Sequence, residues 1–192
     1  MVFGFTFCTV LGKNLGDDMA IYKLIDNDNP LLKEQLTLSD DVDREKLKTD
    51  LIDTMKNFEG IGLSANQIGI MERVFVMYHN FSKREIMCCF NPKIVFTSEE
   101  EDYMDEGCLS WPGLWLKVKR PTWIEVEYEN ENGEHIKNKL KGLEARVFQH
   151  EYDHMEGTDF TQKVSRLRLD MAKKKKSKNF KKSKIIQERM SL

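Results

Sequence analysis

His150-Glu151-Tyr152-Asp153-His154 has the spacing HExxH, which is the spacing of a metal site. On a helix, residues four apart stack on one side, so both imidazoles can reach a single ion while Glu151 lies beside them, placed to take a proton from ion-bound water. Two histidines and a glutamate on a helix that otherwise carries apolar residues need partners, which argues against a chance surface cluster. A hydrolytic metal site takes a third protein ligand, and the downstream sequence does not supply one. Metzincin proteases place a histidine six residues after the second one, where this chain has Phe160, and no acid stands near the distance that thermolysin-type proteases use. Upstream, Glu106-Gly107-Cys108-Leu109-Ser110 offers Cys108. A thiolate is a strong, soft ligand, and one cysteine with two histidines suits zinc or ferrous iron. Taken alone, Cys108 reads equally well as a small buried hydrophobe.

Such residues need rigid elements beneath them. Leu143, Val147, His150, Glu151 and His154 share one face of a helix that starts after Gly142 and stops at Gly157. Ser39-Asp40-Asp41 offers an N-cap, and Leu47, Leu51, Met55 and Phe58 then recur on one face until Gly60, predicting a helix over 40–58. RVFVMYH (73–79) and MCCFNPKIVF (87–96) are β-rich runs broken by turn residues. WIEVEYENENGEHIKNKL reads as a hairpin: Ile124, Val126 and Tyr128 point one way, Glu125, Glu127 and Glu129 the other, and Asn130 to Gly133 make the turn. The predicted class is α+β, with mixed or antiparallel strands around one central, largely buried HExxH helix, an N-terminal helix and a C-terminal basic helix.

Composition fits one globular domain. With 192 residues, 40% of them apolar, 4 Pro and 11 Gly, the chain can bury a core without disulfides or a structural metal, and collagen-like or wholly disordered readings are excluded. No apolar run approaches the roughly 18–20 residues of a membrane helix, so no membrane partner is expected. Cys8, Cys88, Cys89 and Cys108 form neither a CxxC pair nor a disulfide framework, which points to a reducing compartment. Residues 1–18 are apolar but lack the positive start of a secretory signal, and Met19 opens what reads as the domain proper. The net charge of −2 conceals a partition: from Lys163 onward 12 Lys+Arg face 2 Asp+Glu, while residues 1–162 hold 18 against 30. An acidic body carries a basic tail. There Val164, Leu167 and Met171 recur at helical spacing, predicting a helix packed on the body ahead of the lysine run from Lys173 to Lys184, with the rest frayed.

Three motifs stand in order along the chain: Gly60-Ile61-Gly62-Leu63-Ser64-Ala65-Asn66-Gln67, then Glu106-Gly107-Cys108-Leu109-Ser110, then Gln149-His150-Glu151-Tyr152-Asp153-His154. Together they resemble the peptide deformylase family, whose pattern is GφGφ(A/S)AxQ, EGCxS and QHExDH. The resemblance covers residues 20–162 and takes in Trp111-Pro112-Gly113, Arg120-Pro121 and Ala145-Arg146. The departures are the extension at 1–18, Ser64 in place of the commoner alanine, and the lysine-rich tail.

The resemblance implies that Cys108, His150 and His154 bind one metal, natively Fe2+, with Ni2+, Co2+ or Zn2+ accepted. It implies an amidohydrolase that removes the formyl group from nascent polypeptides beginning with formyl-Met and releases formate. Glu151 would take the proton of the metal's water and hand it to the departing amine. The Gln67 side-chain amide and the Leu109 backbone N–H would meet the developing oxyanion. An extended substrate would pair with Gly62 beside Leu63 and Gly107, and Arg146, Val147 and Leu143 would border a pocket for the methionine side chain. For Leu143 and Val147 a core role explains the pattern as well, Asp153 is given a role behind the ligands or in stabilising the helix, and Trp111 and Trp115, which could flank the cleft, are assigned to packing as the commoner role of aromatic residues. The expected layout is an extension over 1–18, a catalytic domain over 19–165 and a lysine-rich helix or tail over 166–192. The expected location is the cytoplasm of a bacterium or an infected bacterium, or an organelle. The tail reads either as a solvated end or as a dock for the ribosome through RNA phosphates; DNA is not an expected partner. Two other readings compete. A metalloendopeptidase is opposed by the missing downstream ligand, and a catalytically silent ribosome- or RNA-binding module by the intact set of Cys108, His150, His154, Glu151 and Gln67.

Overall fold

The computed structural model describes residues 20–190, and the expected extension over 1–18 lies outside the described residues. Arg44–Asn57 forms α1, which starts later than the spacing of polar residues suggests. Asp43 caps it, its side chain accepting the Lys46 N–H at 3.0 Å. Ser39 cannot, because its buried hydroxyl accepts the Arg73 N–H at 2.7 Å. At the other end Phe58 is the cap and the left-handed turn falls on Glu59 (φ 55°), not on Gly60. Gly60 follows, its N–H reaching back to the Met55 carbonyl at 2.9 Å.

Seven strands follow: β1 (Gly62–Ser64), β2 (Val74–His79), β3 (Glu85–Thr97), β4 (Glu101–Gly107), β5 (Trp115–Pro121), β6 (Trp123–Glu129) and β7 (His135–Lys141). Five form an antiparallel sheet in the order β1-β2-β3-β6-β7, and β4 and β5 form a separate antiparallel ribbon. The β6–β7 hairpin matches its alternation: Ile124 faces Leu140, both are buried with Val126, and the Asn130 side chain accepts the N–H groups of Asn132 and Glu134 across the turn. β1, β4 and β5 have no apolar pattern of the kind that marks β2 and β3. β4 carries two adjacent acidic pairs, Glu101-Asp102 and Asp105-Glu106, and the buried stripe of β5 is Leu116, Val118 and Arg120.

Helix α2 (Gly142–Met155) crosses one face of the large sheet. Ala145, Val147, Phe148 and Met155 bury against Phe75, Met77, Cys89, Ile124, Val126 and Leu140, with Phe148 and Phe75 edge to face at 5.0 Å. On the opposite face Leu47, Leu51 and Met55 of α1 cover Leu63, Val74, Val76, Cys88 and Phe90. Strand periodicity thus sends Cys88 and Cys89 into different layers, and burial pushes both thiols up, keeping them protonated.

The C-terminal segment corrects two expectations. Helix α3 (Arg166–Met190) continues through the lysine run instead of fraying within it. Its packed stripe is also different: Val164, just ahead of the helix, joins Leu169 and Ala172 against Leu114, Leu116, Val118 and Phe160, while Leu167 and Met171 are 71% and 63% exposed. The reason is the width of the partner. A two-stranded ribbon covers a narrow stripe of a helix, so the apolar positions beside that stripe stay in water. Among the described residues no helix is long and apolar enough to cross a membrane.

Candidate active site

The lower turns of α2 hold His150, Glu151 and His154, all buried, and the loop leaving β4 brings Cys108 against them. One ligand atom from each of Cys108, His150 and His154 lies within 4.8 Å of the others, and the Cys108 Sγ is 3.4 Å from His154 Nε2. Bonds of about 2.0–2.3 Å in a tetrahedral site hold such atoms roughly 3.5 Å apart, so the set fits one divalent metal in both spacing and ligand chemistry.

What aims these ligands is Glu106, the penultimate residue of β4, which pairs opposite Leu116. Its carboxylate accepts from His150 Nδ1 at 3.0 Å, from Arg120 Nε and Nη2 at 2.7 and 2.9 Å, and from Arg146 Nη1 at 3.1 Å. The bond to Nδ1 fixes the imidazole tautomer and turns Nε2 toward Cys108. Burial alone would raise the Glu106 carboxyl, but the His150 and Arg120 bonds overcome it and hold the group at about 2. Arg120 continues the chain to Asp153 at 2.7 Å, and Lys163 closes on the other Asp153 oxygen at 2.9 Å. Asp153 therefore lies behind the ligands. Arg146 spends its guanidinium on Glu106, Asp102 and the Val118 carbonyl, so it forms a wall of the cavity with no free charged end.

Glu151 is different in kind. Burial pushes its carboxyl up to about 7 against the pull of His150 and Ser64, and its Oε2 is buried with no partner among the described residues. Gly62 of β1 makes room for it: a Cβ there would stand 2.9 Å from Glu151 Cδ and closer still to Oε1. Gln67 sits in a single 3₁₀ turn (Ala65–Ile68) after β1. Its Oε1 accepts the Ser64 N–H and hydroxyl, each at 3.0 Å, which turns Nε2 toward Cys108 Sγ (3.3 Å) and Ser110 Oγ (3.2 Å). Ser64, a departure from the commoner alanine, thus adds a second hold on this amide.

A cavity of about 610 Å³ opens over the site. Gly62, Gln67, Gly107, Cys108, Leu109, Arg146, Val147, His150 and Glu151 line it, whereas His154 closes its base from behind. Leu63 does not line it; strand alternation turns that side chain into the α1 core. Sequence reading missed the opposite rim, Leu24 to Asp26, which is tied down by the Ile25 N–H on the Gln67 carbonyl at 2.9 Å; Trp115, assigned to packing in preference to a place at the cleft, lines the cavity, its indole packed over Gly107. Trp111 and Leu143 also line the cavity. Nothing local marks the rim, but the outward phase of Trp115 on β5 was readable from the alternation Trp115, Lys117, Lys119.

Two imidazoles and a cysteine sulfur beside a buried carboxyl are what a metal-dependent hydrolase requires, and a cysteine delivered from outside the helix separates this class from HExxH endopeptidases with a downstream ligand. The sequence matches the model of the polypeptide deformylase family over residues 21–170, and the chain belongs to that family. A peptide deformylase of Natranaerobius thermophilus is 44% identical over 144 residues, 74% of this chain and 91% of its own length. Among solved structures, a peptide deformylase from Legionella pneumophila superposes with a TM-score of 0.76 at 33% identity, covering 86% of this chain and 98% of its own. The peptide deformylase from Thermotoga maritima gives 0.70 at 34% identity over 76% and 98%.

Proposed function

We propose that this chain removes the formyl group from the N-terminal formyl-Met of nascent polypeptides, with Glu151 as proton carrier and Cys108, His150 and His154 as metal ligands. The observation that carries this reading is the buried Glu151 carboxyl, whose Oε2 has no partner among the described residues, beside a cysteine-imidazole cluster at the floor of one cavity. A divalent metal held there, Fe2+ in our reading, would lower the pKa of a water and polarise a carbonyl oxygen. Glu151 takes the proton of the attacking water and returns it to the amine nitrogen as the formyl C–N bond breaks, leaving formate and a free N-terminus. A pKa near neutrality suits a group that must both accept and donate. The Gln67 Nε2–H and the Leu109 backbone N–H donate to the formyl oxygen as its charge grows, and Ser64 fixes the Gln67 amide for that task. β1 is the end strand of the sheet and borders the cavity, so an extended peptide can add to its outer edge at Gly62, with its methionine side chain against Val147 and Leu143.

The reading is tested by formate release from formyl-Met-Ala-Ser after anaerobic Fe2+ loading, alongside cleavage of an internal peptide bond. Formate without internal cleavage is expected; internal cleavage alone would assign the site to an endopeptidase. Gly62→Ala supplies a geometric check. The added methyl displaces the Glu151 carboxyl, and a shift of about 1 Å costs on the order of 10²-fold in kcat with the melting temperature little changed. A variant of undiminished kcat would mean that Glu151 is not positioned through Gly62.

For the tail we propose docking to the ribosome, in a cytoplasmic setting. Ending the chain at Lys176 removes five Lys+Arg and keeps the packed turns around Leu169 and Ala172. Tripeptide turnover should stay within about twofold of the full chain, while ribosome affinity falls and its salt dependence flattens. Equal affinity at every salt concentration would remove the tail from that role.

A further inference from the structure

The cavity over the metal ligands does not close at Trp115. The indole lines it on one side and, on the other, borders a second groove of about 450 Å³ between the β4–β5 ribbon and α3. Tyr103, Leu116, Val164, Met171 and Ala172 furnish its apolar lining, and Lys117 and Arg168 stand at its margins. Trp115, Tyr103 and Met171 are 65%, 50% and 63% exposed, so three large apolar side chains are held in water around one depression. Apolar side chains gathered in this way mark a binding surface more often than they mark packing. Folding uses them only in part: Trp115 packs over Gly107 and Tyr103 lies under the Arg168 guanidinium at 5.9 Å, but α3 docks through Leu169 and Ala172, and Met171 faces away from that contact.

We propose that this groove is a track for the downstream residues of the polypeptide whose N-terminus lies in the catalytic cavity. The proposal rests on the deformylase reading. Continuity argues for this occupant, because Trp115 lines both spaces and a chain leaving one reaches the other across that single side chain. Length argues for it too. An extended chain advances about 3.3 Å per residue, so a nascent polypeptide outruns a cavity of about 610 Å³ within a few residues and must lie somewhere on the enzyme. The chemistry then sets the preference: apolar side chains against Trp115, Tyr103 and Met171, with Lys117 and Arg168 donating to backbone carbonyls or to an acidic neighbour.

The test compares kcat/KM for formyl-Met-Ala-Ser with two eight-residue formyl-Met peptides, one carrying leucine and one serine at positions four to seven. Wild type should favour the leucine octapeptide over the serine octapeptide by about tenfold, the scale of one apolar side chain buried in part. Met171→Asp, at an exposed helix position, and Tyr103→Ser should each abolish that preference while tripeptide turnover stays at the wild-type value. Wild type that turns over the tripeptide but treats both octapeptides alike overturns the proposal. So does a concentration-dependent dimer, lost in Met171→Asp, that accompanies equal octapeptide rates, since the groove then belongs to a second copy of the chain. Failure of loaded wild type on the tripeptide would instead overturn the deformylase reading beneath it.

Discussion

Glu151→Ala should lower formate release from formyl-Met-Ala-Ser by about 10³-fold at saturating substrate, while metal content stays at the wild-type level. The side chain is 4% exposed and its Oε2 has no partner among the described residues, so little in the fold depends on it. A carboxyl pushed up to about 7 by burial is one whose charged form the surroundings disfavour. Its removal relieves that cost, and the melting temperature should hold or rise, as when an active-site group is maintained against stability. Metal analysis, a thermal melt and the formate assay on the same preparation decide it. Loss of metal together with activity, or retention of a tenth of the rate, would show that Glu151 is a structural group and not the proton carrier.

Glu106→Ala has the larger expected effect on the fold. The carboxylate is the common acceptor of Arg120, Arg146 and His150, and both guanidinium groups are almost fully buried. Removing it leaves Arg120 with Asp153 and Arg146 with Asp102 as their remaining acidic partners, so the cost should approach but not exceed the about 3–5 kcal/mol of a buried charge left wholly unpaired. Urea denaturation should show the loss as a lower midpoint at unchanged slope. Because the His150 ring also loses the bond that fixes its tautomer, metal affinity should fall by about 10- to 100-fold in the fraction that stays folded. A variant with full stability and weakened metal binding would reduce Glu106 to a partner of His150 alone.

The parts of this site that could be read from sequence are those in which geometry is local. HExxH works because a single helix brings positions 150, 151 and 154 to one side, and the β6–β7 hairpin is readable because alternation and turn lie within twenty residues. Glu106 and Arg120 belong to a different case. They meet because β4 and β5 pair in one particular register, and Asp153 joins them because α2 lies across that ribbon. No periodicity encodes such a meeting. Leu63 shows the opposite error: being next to Gly62 in the motif suggested a place in the cavity, but strand alternation sends it to α1. In α3 the helical period was legible and the packed stripe was not, because that stripe depends on a ribbon whose strands are themselves poorly marked. The early placement of the α1 cap at Ser39 failed for a similar reason, since its hydroxyl is committed to Arg73, 34 positions away.

The position of α2 in the chain has a consequence for synthesis. The sheet is complete at Lys141, yet Phe75, Ile124, Val126 and Leu140 on its inner face have no cover until Ala145 to Met155 have been made. A ribosome-bound fragment ending before α2 would display that face as an open sheet, a sticky species that relies on the next few seconds of elongation. The helix that carries His150, Glu151 and His154 is the same one that seals the interior. Maturation of the fold and assembly of the Cys108, His150 and His154 cluster therefore coincide in one docking event, and a version of this chain without α2 has neither a sealed core nor that cluster.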